Sequence, residues 1–89
     1  MPTVSFTSAL RRFVAAPSTR VEGASVAAAL DAVFAAQPAL RGYVLDDQGA
    51  VRRHVVIFVN GQPIRDRQRL TDPAGEREEI YVFQAVTGG

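Results

Sequence analysis

The residues of this chain with the best-defined chemistry are its last two, Gly88 and Gly89, which place a free α-carboxylate at the tip of Val86-Thr87-Gly88-Gly89, directly after an apolar strand pattern. A carboxylate so placed is a group on which another protein can act. Glycine has no Cβ, so Gly88 and Gly89 adopt extended or positive-φ conformations at little steric cost and fit passages too narrow for other residues. Four extended residues reach roughly 13 Å at about 3.3 Å each, enough to carry the terminus into a partner's active site. Chains also commonly fray into small residues at their ends, so the diglycine gains its meaning from the body that precedes it. The expected organisation is one folded domain, residues 1–85, followed by a flexible tail, residues 86–89.

Side-chain chemistry is otherwise sparse. There is no cysteine, which excludes disulfide frameworks, thiol nucleophiles and thiolate metal sites. His54 is the single histidine and has no second imidazole nearby in sequence, a poor arrangement for ligating metal or running a triad. Ser5, Ser8, Ser18 and Ser25 occur without a nucleophile-elbow pattern, and no phosphate-cradling glycine loop exists. Asp46-Asp47-Gln48-Gly49 begins like a calcium loop but lacks the later oxygen ligands, and reads as a polar turn. An enzyme acting alone is not expected, and no metal or bound cofactor is called for.

Eighty-nine residues, with 47% hydrophobic and 21% charged, fit a single domain able to form its own core. Net charge is +1, which gives no broad attraction to nucleic acid. All ten basic residues are arginine, interspersed with acidic ones and without an aromatic platform for single strands, so they read as solvated surface. Met1-Pro2-Thr3 leads straight into strand-like alternation, and no apolar run is long enough to span a bilayer, so the expected location is the cytoplasm with no membrane association.

Period-two alternation predicts a first strand over Thr3–Thr7, with Val4 and Phe6 on one face. Leu10 and Phe13 add apolar residues before an Ala16-Pro17-Ser18 turn and a short strand, Thr19–Glu22, so the pair reads as a hairpin. Ser25 is placed to cap a helix in which Val26, Leu30, Val33 and Phe34 share one face, with Pro38 as the stop. Leu40, Val44 and Leu45 suggest a short helical turn over the core. Arg53–Val59 is the strongest strand pattern, and Asn60-Gly61 suits a tight turn into a short edge partner, Gln62–Arg65, where Pro63 lacks an N–H. Leu70–Glu79 reads as polar connection, and Ile80–Ala85 as the final strand. Strands gathered around one main helix imply an α+β fold, a mixed sheet of four to five strands with the helix across one face: the β-grasp arrangement.

With the strand order and the diglycine together, the chain resembles the MoaD/ThiS family of ubiquitin-like sulfur carriers over nearly its whole length. The sharpest parts are His54-Val55-Val56-Ile57-Phe58-Val59-Asn60-Gly61, similar to the family's central strand and Val-Asn-Gly turn, and Gln84-Ala85-Val86-Thr87-Gly88-Gly89, similar to its terminal segment. The resemblance implies a carrier whose Gly89 carboxylate is adenylated by a ubiquitin-activating-type enzyme using ATP. A sulfurtransferase or sulfide source then converts it to a thiocarboxylate that donates sulfur to a recipient synthase subunit. The chemistry suits these residues: a terminal carboxylate with pKa near 3.5 is an anion and a poor electrophile at neutral pH, so an external activator must make it an acyl phosphate anhydride first. The recipient stays open among molybdopterin, thiamin thiazole, cysteine and specialised metabolites. So do a modifier joined to lysines through Gly89 and a binding-only β-grasp module. If Val55, Ile57, Val59, Ile80 and Val82 face the helix, alternation places Val56, Phe58, Tyr81 and Phe83 on the opposite side, either as a protein-docking patch or shielded by short connections.

Overall fold

A computed structural model of the chain describes residues 1–6 and 18–84. The elements run β1 (Thr3–Phe6), β2 (Ser18–Arg20), α1 (Val26–Ala36), a 3₁₀ turn (Pro38–Leu40), α2 (Arg41–Val44), β3 (Val55–Val59), β4 (Gln62–Pro63) and β5 (Glu79–Gln84). The five strands form one sheet in the order β2-β1-β5-β3-β4. β1 and β5 run parallel at its centre, and the other pairings are antiparallel. A parallel central pair demands a long crossover. The segment carrying α1 supplies it, and the result is the expected β-grasp topology.

Burial follows the two periodicities. In β5, Ile80 and Val82 are fully buried while Glu79, Tyr81 and Phe83 are exposed; in β3, Val55 and Ile57 are fully buried. Helix α1 begins where Ser25, in extended conformation, accepts the Ala28 N–H on its hydroxyl at 3.1 Å. Its buried residues Val26, Ala29, Leu30, Val33 and Phe34 make one stripe at helical spacing, packed with Val4, Phe6, Val55, Ile57, Ile80 and Val82 in a single core. Each fully buried aliphatic side chain contributes about 1.5–3 kcal/mol. Leu40 and Val44 close the core beside α1, as their spacing predicts.

Four details depart from the sequence reading. β3 starts at Val55, because Arg53 and His54 form a turn in which the Val55 N–H donates to the Arg52 carbonyl at 3.0 Å. β2 is Ser18–Arg20, ending two residues before Glu22, and Val21 turns into the core. β4 is only Gln62–Pro63, though it is the edge strand that Pro63 requires, and Ile64 is buried. The segment read as polar connection is a structured latch. Val26 and Ala27 at the start of α1 donate their N–H groups to the carbonyls of Asp72 and Leu70, both at 2.9 Å, while Ala74 N–H reaches the Ala24 carbonyl. Leu70 and Ala74 are buried within it. Thr7, Leu10, Phe13, the Ala16-Pro17 turn, Ala85 and the predicted tail lie outside the described residues. Among the described residues, no helix is long and apolar enough to cross a membrane.

Candidate functional site

β5 leads to the chain end and is held on both sides. It pairs with β1 from Thr3↔Glu79 to Phe6↔Val82 and with β3 from Val55↔Gln84 to Val59↔Ile80. Val86, Thr87, Gly88 and Gly89, the predicted tail, follow Gln84 in sequence and lie outside the described residues. At this end of the sheet Arg67 holds the turn before β3, donating through one guanidinium nitrogen to the carbonyls of Arg52 at 2.7 Å and Val55 at 2.6 Å. Two bonds from a cation to buried-rim carbonyls are stronger than their neutral counterparts. Asp46, Val51, Arg52, Arg53 and His54 surround an open depression of about 280 Å³ here. His54 is a half-buried rim residue in it.

On the face away from α1, register brings the four apolar residues together as the alternation anticipates. Val56 stands opposite Phe83, and Phe58 opposite Tyr81. Directly opposed side chains lie about 4.5–5.5 Å apart at Cβ, so two cross-strand pairs form one continuous patch. Tyr81 and Phe83 remain 44% and 41% exposed, and no connection among the described residues covers them. Val56 and Phe58 are half-buried beneath them. The patch runs along β5 to Phe83, one residue before the end of the strand at Gln84.

The opposite end of β5 is tied by Asn60, which adopts φ 50° in the turn after β3. Its side chain accepts the Glu79 N–H at 2.9 Å and donates to a Glu78 carboxylate oxygen at 3.2 Å, and its own N–H donates to the Glu79 carbonyl at 2.9 Å. Asparagine tolerates the left-handed conformation that this turn needs. Below it, two carboxylates organise the latch on α1. Asp66 accepts the Thr71 hydroxyl at 2.6 Å and the N–H groups of Arg69 and Gln68, which hold its carboxyl down at about 2. Asp72 accepts the N–H groups of Arg65 and Asp66 at 2.9 and 2.8 Å, and these bonds likewise lower its pKa. Asp66, Arg67 and Asp72 were missed in the sequence. Asp66 alone carried a local signal, since an aspartate bonding backbone two and three residues ahead is an Asx turn.

A mixed sheet with this strand order and one helix across its face is a ubiquitin-like domain. The profile of the ThiS family matches residues 4–89, and the chain belongs to that family. Among solved structures it is similar to SAMP1, small archaeal modifier protein 1, from Haloferax volcanii, with 28% identity, a TM-score of 0.84 and coverage of 98% of this chain and 97% of that one. It superposes on a chain of the Amycolatopsis orientalis BexX/CysO complex with a TM-score of 0.87 at 22% identity, covering 100% of each. Mycobacterium tuberculosis CysO gives 0.84 at 22% identity, over 97% of this chain and 100% of that one. The two CysO likenesses show the fold. No curated protein sequence matches the chain.

Proposed function

We propose that this chain is a sulfur carrier in which Gly89 becomes a thiocarboxylate, with Val86, Thr87 and Gly88 as the segment that threads into partner enzymes. The observation that carries the reading is family membership extending through residue 89, so that the matched region includes the diglycine and not the folded body alone. The central position of β5 supports it, because a strand bonded on both sides gives the tail a rigid root. The chemistry needs no acid, base or metal from the carrier. An activating enzyme of the ubiquitin-activating type transfers AMP from ATP to the carboxylate, releasing pyrophosphate. Sulfide then attacks the acyl carbon and releases AMP, leaving the thiocarboxylate; where a sulfurtransferase persulfide attacks instead, AMP leaves from an acyl disulfide, which a second thiol cleaves to the thiocarboxylate while itself being oxidised to a disulfide. The Val56, Phe58, Tyr81 and Phe83 patch is the docking surface for the activating enzyme and for a recipient synthase subunit, and the protein works in the cytoplasm.

Intact-mass spectrometry tests the proposal after incubation with cognate activating enzyme, ATP and a sulfide source. The expected product has one oxygen replaced by sulfur, located at Gly89 by fragmentation; an unchanged mass with competent enzyme refutes it. Similarity to a small archaeal modifier protein favours one other reading, in which Gly89 forms isopeptides with lysines of other proteins. A ladder of covalent conjugates on immunoblots of cell extract distinguishes that outcome.

A further inference from the structure

Residues at the start of β5 form a feature that the tail chemistry does not use. Phe58, Asn60, Gly61, Glu79 and Tyr81 line an open depression of about 280 Å³ on the exposed face of the sheet. We infer that this depression receives an arginine side chain of the activating enzyme docked on the apolar patch. The inference rests on the docking role proposed above and adds the chemistry of one contact within it.

Glu79, Tyr81 and Phe83 share one face by alternation, and Phe58 lies opposite Tyr81, so a carboxylate stands next in line to a pair of aromatic rings. Glu79 is exposed, and among the described residues its carboxylate has no hydrogen-bond or ion-pair partner. The neighbouring Glu78 carboxylate is already engaged by Gly75 N–H at 2.6 Å and by Asn60. A group that bonds a free carboxylate and lies against aromatic faces at the same time is a planar cation. Guanidinium fits better than ammonium, because it stacks on rings, presents paired donors to a carboxylate and is more weakly hydrated.

The surroundings agree. The Glu76-Arg77-Glu78-Glu79 segment carries three carboxylates against one guanidinium. Arg20 lies in the same row across Thr3, two strands from Glu79, or about 10 Å, and forms no ion pair with it. The rim is also built in advance. Asn60 is held by both ends of its amide, so little ordering is required when a ligand arrives. Five residue steps along β5 separate Glu79 from Gln84, about 17 Å of strand. The arginine would therefore be gripped at the end of β5 opposite Gln84, which sets the direction in which the partner docks.

The first experiment titrates ¹⁵N-labelled protein with Nα-acetylarginine amide, with the lysine amide and with the uncharged citrulline amide. The arginine probe should give saturable shifts at the amides of Asn60, Gly61, Glu79 and Tyr81, with weaker effects from lysine and none from citrulline. Glu79→Gln should weaken binding by about threefold, as loss of an exposed ion pair does, while Glu76→Gln leaves it unchanged. No saturable shift with arginine, equal effects from citrulline, or indifference to Glu79→Gln would overturn the inference. In ATP-dependent adenylation, Glu79→Gln should raise KM about threefold for the same reason and leave kcat unaltered; an unchanged KM refutes the contact while leaving carrier function standing. Absence of adenylation of the wild-type protein by competent enzyme counts instead against the carrier reading, and the probe titration is independent of that result.

Discussion

Replacing Tyr81 and Phe83 by serine tests the docking face where it leaves the most aromatic surface exposed. A buried aromatic side chain covers about 150–250 Å², and these two are 44% and 41% exposed, so about 80 Å² of each is left for a partner to cover. At about 25 cal/mol per Å² that area is worth about 2 kcal/mol per residue, equivalent to a change of about 30-fold in affinity for each. Docked aromatic area is never covered in full and binding carries its own ordering cost, so each single variant should raise KM for adenylation by about tenfold or more, with the double variant higher again. More than half of each side chain is already covered in the fold, where Tyr81 stands against Phe58 and Phe83 against Val56, so each variant should also lose about 1–3 kcal/mol of stability, and KM is measured well below the lowered Tm. Ile57→Ala is the contrasting control: it empties a fully buried position and should cost about 2–5 kcal/mol, lowering Tm without changing the KM of the fraction that remains folded. The assay is pyrophosphate exchange by the cognate activating enzyme, run beside thermal unfolding by circular dichroism. A double variant that remains folded at the assay temperature and keeps the wild-type KM would refute the assignment of this face.

Two further perturbations probe the scaffold. Gly23→Ala should destabilise by about 1–3 kcal/mol through overpacking, because a Cβ there would lie 2.6 Å from Ala29 N and 2.9 Å from Ala29 Cα, backbone atoms of α1 that cannot swing aside; a wild-type Tm would contradict the close approach. Asp66 and Asp72 have folded pKa values below their ordinary 3.8, so the stability they supply is complete above about pH 4 and is lost as pH falls through the folded value, about 2 for Asp66. Thermal unfolding across that window should therefore show a falling Tm, and Asp66→Asn should flatten the fall; an equally steep fall in the variant would show that other carboxylates govern it.

The latch shows why part of this design was invisible in one dimension. Leu70–Glu79 holds no apolar period, and its composition reads as polar connection. In the fold, the carbonyls of Leu70 and Asp72 satisfy N–H groups at the start of α1, some 45 residues back in the chain. Those N–H groups have no partner within the helix, so something must bond them. Nothing local says that this loop does so. Arg67 is similar: it reads as one more surface arginine, and only the approach of its loop to residues 52–55 turns it into the clamp on the turn before β3.

The amino-acid order by itself determined the face of α1, the inward and outward sides of β3 and β5, the turn at Asn60-Gly61 and the edge character of the Pro63 strand, because each is a matter of period or of backbone stereochemistry within a few residues. It also carried the diglycine on which the proposed chemistry depends. Pairing across the sheet was decided only in three dimensions. Setting Tyr81 against Phe58 and Phe83 against Val56, and leaving Glu79 free at the end of that row, requires β3 and β5 to meet in one register out of several. A shift by one residue would turn the buried Ile80 and Val82 toward solvent, so the cost of exposing the core selects the register, and with it the surface that a partner meets.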